Sequence, residues 1–464
     1  MLSQFFHPIR LLRRYRQSIA FLPSLLAIAY LLLGLLAVIP NIDNDTLPDF
    51  FGWLDFKDPG TARSLLSTLI AGMISLMVFS FSMVMTVLSQ AGSSFSQKLV
   101  FGLVSKREHQ RVLGHYLGTI LFVLILLMVP FKGETPTLWR SLGVYLGVAM
   151  VVHCLGLFVY FIHSVSQSVQ INAVTQGLHQ STKDSLEKVR SLMDSPRWRH
   201  LGAHPHIQNR HYLINAHQSG YIQQVDLEKL AKLAEEVGAV IHLNFTFGDY
   251  TVVEFPLFKV EMEDNDDAAA PDAAAPDAAP PGADKIDEEF RTAVLATLTY
   301  VQGESVEDLY INGLTQLMEI AIKGLSPGIN EPGIARLCIH QLTELLARRL
   351  KLEPSNILVD DRGHTRVTWK IQRFDSLLYR LFTPILHYGK EDISINLALL
   401  KALKTLSNFA KHDDLDAIQG HADRVIAVLA SLTQDSLDRQ FIQERLNSGE
   451  HRLKLPITLP TEKD

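Results

Sequence analysis

The sequence has few cysteines, no catalytic signature and few charges in its first third. Its two cysteines, Cys154 and Cys338, are far apart among 464 residues, which excludes a disulfide framework and a cysteine-rich metal site. Glycine-rich phosphate loops, nucleophile elbows and His-Glu-x-x-His motifs are all missing from the chain. With a pI of about 6.3 and no strongly basic domain, nucleic-acid binding is not expected either. These absences predict a protein that is not an enzyme and that holds no cofactor or metal.

Charged residues are distributed unevenly along the chain. Residues 1–164 carry 19 of them, whereas residues 165–464 carry 73. A soluble domain does not have the composition of the first part. Four apolar stretches without Asp, Glu, Lys or Arg reach the roughly 20 residues that a bilayer-spanning helix needs. The predicted spans lie near 19–40, 65–89, 112–130 and 141–163. We therefore predict an α-helical integral membrane protein whose transmembrane domain occupies 1–164.

The charges that flank these spans predict their orientation. Four arginines precede the first span, and four basic residues lie between the second and third spans (Arg10, Arg13, Arg14 and Arg16; Lys98, Lys106, Arg107 and Arg111). The loop between the first two spans is acidic instead. Because Lys and Arg concentrate in cytoplasmic loops, both termini are expected in the cytoplasm.

The second span carries a repeated line of serines. Ser75, Ser82, Ser89 and Ser96 recur every seven residues, so they share one face of a helix. Small hydroxyl residues allow membrane helices to pack closely, which is the commoner use of such a pattern. Polar groups also line water-filled pores. Both interpretations hold if the helix packs in a ring around a pore.

Histidines are the other candidates for chemistry. His153 lies inside the fourth span, where an ionisable group suggests a function, and His163 lies at its boundary. Five more histidines fall between His200 and His217. The spacing of His200 and His204 suits zinc, but no carboxylate or cysteine completes a site, so a solvated loop is the favoured interpretation.

From residue 165 onward the sequence predicts an α+β cytoplasmic region. A helical extension and connector is expected at 165–218, followed by a small β-rich unit at 219–262 that resembles a β-barrel or sandwich. Residues 263–285 consist largely of Ala, Pro and Asp, a composition typical of a disordered linker. Residues 286–464 predict a mainly helical domain that includes a β-hairpin near Ile357–Trp369.

A turn-forming octapeptide separates two amphipathic helices of that last domain. It reads Leu325-Ser326-Pro327-Gly328-Ile329-Asn330-Glu331-Pro332. Ser326, Pro327 and Gly328 stop the first helix, and Asn330 is expected to cap the second, with Glu331 and Pro332 in its first turn. Amides at a helix start bind anions, but Glu331 opposes an anion there. A rigid turn is therefore favoured.

This octapeptide resembles the signature of a bacterial family of predicted membrane proteins, domain of unknown function 2254. Supporting segments are Phe79–Ser82 with Ser93–Ser96, Ser219–Tyr221 and Gly248–Tyr250, so the resemblance covers nearly the whole chain. Two differences stand out, because Glu331 replaces the usual Asp and Gly333-Ile334-Ala335 lacks the usual Thr before Ala. The resemblance implies the architecture and a bacterial inner membrane, and it implies no settled activity.

Two functional hypotheses follow from these observations. The first is a homo-oligomeric ion channel in which the second span and its serines line the pore. The alternative is a membrane-anchored scaffold or regulator whose cytoplasmic domain binds a protein partner or a small ligand. The lipid bilayer is a partner in both, and the identity of any protein partner is not predicted. The spans contain no buried Asp, Glu, Lys or Arg, which argues against a proton- or sodium-coupled transporter.

Overall fold

A computed structural model describes most of the chain. The described residues are 21–38, 58–94, 107–128, 138–168, 170–201, 211–262, 286–301, 310–433 and 435–460. They form two compact units, Met1–Ala173 and Val174–Asp464. The predicted linker at 263–285, and Ser96 of the serine line, lie outside the described residues.

The first unit contains four long apolar helices. They are α1 (Phe21–Val38), α2 (Pro59–Ser94), α3 (Arg107–Met128) and α4 (Leu138–Ser168). Each includes an uncharged or nearly uncharged stretch that is long enough to cross a bilayer. The four predicted spans are therefore confirmed as candidate membrane helices.

Helix α3 lies at the centre of the first unit and packs against the other three helices. Its glycines allow α1 to approach closely. A Cβ atom at Gly114 would lie 2.6 Å from Leu26 Cδ1, and one at Gly118 would lie 2.7 Å from Tyr30 Cγ. Small residues four apart are the usual means by which membrane helices pack backbone to backbone. Aromatic residues of α3 and α4, including Tyr116, Phe122 and Phe161, fill the interior.

The second unit begins within a long amphipathic helix and continues as a mixed α/β region and a helical region. Its helices are α5 (Ile171–Met193), α6 (Leu227–Val237), α7 (Glu288–Leu295), α8 (Tyr310–Gly324), α9 (Pro332–Leu350), α10 (Phe374–Tyr388), α11 (Ile393–Ser407), α12 (His412–Leu432) and α13 (Ser436–Asn447). Its strands are β1 (Trp198–Arg199), β2 (Tyr212–Asn215), β3 (Gly220–Val225), β4 (Ala239–Leu243), β5 (Tyr250–Thr251), β6 (Pro256–Met262), β7 (Leu298–Val301), β8 (Ile357–Val359) and β9 (Thr365–Thr368).

The β-rich part is two open sheets, so the prediction of a small barrel is wrong. One sheet has the order β1-β8-β9-β4-β6-β2 and the other has the order β5-β3-β7. The predicted hairpin near Ile357–Trp369 exists, and its second strand pairs in parallel with β4. This pairing extends the sheet outward from β4, so that β1 and β2 become its two separate edges. Barrel closure would need those edges to pair.

The helix-forming patterns of the second unit are confirmed. Asp226 caps α6 by accepting a hydrogen bond of 3.0 Å from the backbone N–H of Lys229. Helix α6 packs on β4, β8 and β9, and its leucines enter the core of the large sheet. Helices α8 to α13 pack against one another as a separate helical layer, in which α9 contacts α8 and α11.

Candidate functional site

The serine line of α2 lies on the surface of the first unit. Ser75, Ser82 and Ser89 are all exposed. The residues of α2 that pack inside the unit follow a different line, with Leu66, Met73 and Ser80 almost fully buried. The buried Met73 and Ser80 each come two residues before an exposed serine, Ser75 and Ser82. Two residues correspond to a rotation of ~200° around a helix, so the serines face away from their own unit.

The exposed hydroxyls are partly satisfied by their own helix. Ser75 Oγ donates to the carbonyl oxygen of Ala71 at 2.9 Å, and Thr86 Oγ1 donates to that of Ser82 at 3.0 Å. Such bonds allow a hydroxyl to face lipid or another helix at little cost. Large apolar side chains, among them Val78 and Phe81, are exposed on the same helix. The serine face is therefore available for contact with something outside this unit.

A polar cluster connects three helices of the first unit. The hydroxyl of Tyr30 on α1 lies 2.7 Å from Nδ1 of His115 on α3. The His115 ring also meets the ring of His153 on α4, edge to face, with 5.5 Å between centroids. Beside them Thr119 Oγ1 lies 3.3 Å from Cys154 Sγ, and both of these side chains are fully buried. The cluster combines two imidazoles, a phenol and a thiol among apolar side chains.

The octapeptide forms a closed turn between α8 and α9. The Ser326 carbonyl accepts hydrogen bonds from the N–H groups of Ile329 and Asn330, at 3.0 and 2.8 Å. The Glu331 N–H then donates to the Gly324 carbonyl at 2.7 Å. The amides of Ile329, Asn330 and Glu331 therefore all have a hydrogen-bond partner within the turn. The geometry matches the rigid turn that the sequence favours.

The expected capping role of Asn330 is wrong. The N-cap of α9 is Glu331, whose side chain makes no capping hydrogen bond, and Pro332 opens the helix. Asn330 instead has a φ of 50°, in the left-handed region, while Gly328 does not. Asn tolerates this conformation better than other side chains that carry a Cβ. The chain needs it here because the backbone must reverse after Ile329 for Glu331 to reach Gly324. Pro327, Gly328, Asn330 and Glu331 are exposed, and Ser326 is half-buried.

The comparisons with known proteins agree with these observations. The sequence profile of the family described as predicted membrane protein (DUF2254) matches residues 16–405. The chain belongs to this family.

Curated relatives of this DUF2254 protein occur in mycobacteria. An uncharacterized protein of Mycobacterium bovis and one of Mycobacterium tuberculosis are each 24% identical to it over 389 residues. The matched region is 83% of this chain and 71% of each relative. No solved structure matches the chain significantly.

Sequence reasoning about this DUF2254 protein identified His153 but missed its partners. His115 lies within the apolar run that predicts the third span, so the criterion applied to His153 applies to it equally. Tyr30 carries no comparable signal, because tyrosine is common in membrane helices. Only the packing of α1 on α3 brings its hydroxyl to an imidazole.

The second unit of the DUF2254 protein contains a cleft of about 710 Å³. Its lining includes the two tryptophans Trp198 and Trp369, whose rings meet edge to face, and the amides of Gln223 and Gln372. This volume is in the range of small-molecule sites. In the described part of the chain, no three His, Cys, Asp or Glu side chains are grouped for a metal ion. Of the histidine-rich segment, His204 and His206 lie outside the described residues, and His200 Nδ1 is 2.9 Å from the Pro354 carbonyl oxygen.

Proposed function

We propose that this membrane protein is a homo-oligomeric ion channel whose pore is lined by α2 from several copies. The observation that carries the proposal is the direction of the serine line. Ser75, Ser82 and Ser89 face away from the helices of their own unit and are exposed, so another copy of α2 is able to meet them.

The proposed channel is a symmetric oligomer. Within one unit, the described part of α2 packs against α3 and α4 through the face opposite the serines. A cyclic arrangement of copies around one axis would bring the same face of each α2 together. The hydroxyls would then border a narrow aqueous path, and the exposed aromatic and aliphatic side chains would fill the spaces between copies.

The membrane and the orientation are part of the same proposal. Positive residues before α1 and between α2 and α3 favour a bacterial inner-membrane location with both termini in the cytoplasm. The second unit would then lie in the cytoplasm. The proposal includes no catalytic step, no cofactor and no nucleic-acid partner.

Conductance measurements on Ser82 variants test the channel. Purified protein is placed in planar bilayers after the oligomeric state of each variant has been checked in detergent. Ser82→Ala should conduct nearly as wild type does, whereas Ser82→Leu should assemble normally and conduct several-fold less, because leucine narrows and dewets the path. The channel is excluded if the assembled wild-type protein passes no ions under any applied voltage, tension or pH. If the serine face serves only for close packing between helices, Ser82→Leu should instead fail to assemble.

A second candidate function rests on the cleft of the second unit. Its size and its mixture of tryptophans and amides favour a membrane-anchored regulator that binds a small ligand in the cytoplasm. A thermal-shift screen of the full-length protein against small metabolites tests this function. A ligand that raises the melting temperature of wild type, but not of Trp369→Ala, would support it. Absence of conductance together with such a ligand would favour the regulator over the channel.

A further inference from the structure

The Tyr30, His115 and His153 side chains all lie within the candidate spans. Tyr30 and His153 are at least eight residues from either end of their candidate spans, whereas His115 is three residues inside the uncharged run that begins at Val112. At a rise of 1.5 Å per residue, Tyr30 and His153 lie roughly 12 Å or more from those ends, and His115 lies about 5 Å from the nearer end of its run. Ionisable residues at such depth are expensive and are retained mainly where they have a function.

Their geometry suits the binding of a proton. A phenol hydroxyl is both a donor and an acceptor, so the 2.7 Å contact between Tyr30 and His115 Nδ1 persists in either protonation state. When neutral His115 carries its proton on Nε2, the hydroxyl donates to Nδ1, and it accepts from Nδ1–H once that nitrogen has taken up a proton. No other bond has to break, and the single proton taken up remains on the imidazole.

The surroundings limit how many protons the cluster holds. Helix α4 contributes His153 and Cys154, helix α1 contributes Tyr30, and α3 itself contributes the exposed Arg111 one turn from His115. Two cationic imidazoles with centroids 5.5 Å apart repel strongly in an apolar environment, so both are not charged together.

We propose that His115 and His153 form a proton-binding site in the membrane-spanning unit, which takes up one proton per chain and in which Tyr30 fixes the acceptor nitrogen. His153 is exposed at the surface of the membrane-spanning unit and His115 is half-buried, so His115 is the more protected of the two acceptors. This site lies apart from the serine face of α2 and does not depend on ion conduction. Its ligand is the proton itself.

Nitrogen NMR of the full-length protein in lipid nanodiscs tests the site directly. Protein with ¹⁵N-labelled imidazole rings is titrated from pH 8 to pH 4, and resonances are assigned by comparing wild type with His115→Gln and His153→Gln. We expect the pair to take up one proton together. The histidine that remains in each single variant should titrate with a midpoint shifted by about one pH unit, as strongly interacting sites do.

Two further variants make the test specific. His163→Gln removes an exposed histidine near the end of α4, the helix that carries His153. This variant should leave the titration of the pair unchanged. Tyr30→Phe should change the tautomer of neutral His115, which the ¹⁵N shifts report. The proposal would be overturned if His115 and His153 titrated independently in the wild type, with the same midpoints as in the single variants. It would also be overturned if neither ring titrated. An unaltered His115 tautomer in Tyr30→Phe would overturn the role of Tyr30. The NMR result is independent of whether the protein conducts ions.

Discussion

Ser80 and Ser82 lie two residues apart on α2 in opposite environments. Ser80 is fully buried, and its hydroxyl donates to the Leu76 carbonyl at 2.9 Å, whereas Ser82 is exposed. The buried position belongs to the seam that α2 forms inside its own unit. The exposed position belongs to the face that the proposed oligomer would bring together. The two serines are therefore a matched pair for detecting contacts between copies.

Cross-linking in native membranes uses this pair. Ser82→Cys should give a covalent dimer with a short bis-maleimide, because the proposed symmetry brings equivalent residues near one axis. Ser80→Cys should give no covalent dimer, although it assembles like the wild-type protein. The native Cys154 and Cys338 are buried, which keeps the background of the wild-type protein low. Equal cross-linking of the two variants, or none from Ser82→Cys, would contradict an oligomer built on this face.

The turn between α8 and α9 predicts that a branched side chain at Asn330 destabilises the protein more than a side chain added at Gly328. Asn330→Val should lower the free energy of unfolding by about 1–2 kcal/mol, since a branched side chain is strained in the left-handed region. Asn330→Gly should be at least as stable as wild type. Gly328→Ala is the control, because that glycine lacks a positive φ and a Cβ there meets nothing within 4 Å. Thermal melts of the three variants would measure this, and a greater loss from Gly328→Ala than from Asn330→Val would refute the assignment.

A buried ion pair in the hairpin predicts a pH dependence of stability. Asp360 Oδ2 lies 2.9 Å from Arg366 Nη2, and both side chains are buried. Burial acts to raise the pKa of the Asp360 carboxyl, but hydrogen bonds from the His364 and Arg362 backbones and from Arg366 outweigh it and lower the pKa to about 2. Because this pKa lies below the unfolded value, the stabilisation is present above pH ~4 and is lost as the pH falls toward 2.

Substitution at this pair should therefore be costly. Asp360→Asn leaves the buried Arg366 charge without its carboxylate and should cost about 3–5 kcal/mol. Asp361→Asn, at a side chain that is 95% exposed, is the matched control and should change stability by less than about 0.5 kcal/mol. Unfolding followed by far-UV circular dichroism from pH 7 to pH 2 would compare them. Similar losses in the two variants would mean that the ion pair does not stabilise the hairpin.

The orientation of the membrane unit is also testable. Residues 49 and 274 lie outside the described part of the chain, in the acidic first loop and in the Ala/Pro/Asp segment. Asp49→Cys should react with a membrane-impermeant thiol reagent added to spheroplasts, and Ala274→Cys should react only after the membrane is broken. Labelling of both from the same side would contradict the predicted topology.

Local patterns predicted most of the elements of this fold. Apolar stretches identified the four candidate spans, and helical periodicity identified the helices from α8 to α13. The misjudged features depend on pairing between distant segments. The hairpin β8–β9 joins β4 across more than a hundred residues, a contact that leaves no mark in the local sequence. The conformation of Asn330 is a local exception, because it depends on the hydrogen bond that Glu331 makes to Gly324 within the same turn.

The sequence by itself determined that this is a membrane protein of the DUF2254 family with four candidate spans, because hydrophobicity and motif spacing are local properties. Only the tertiary structure decided which groups meet. The serines share one face by their spacing, but helix packing alone places that face outside the unit. Likewise, His115 and His153 are 38 positions apart, and they become neighbours because the glycines of α3 and the packing of α4 bring three helices together. The sequence specifies which side chains are present, whereas helix packing determines which of them lie close together.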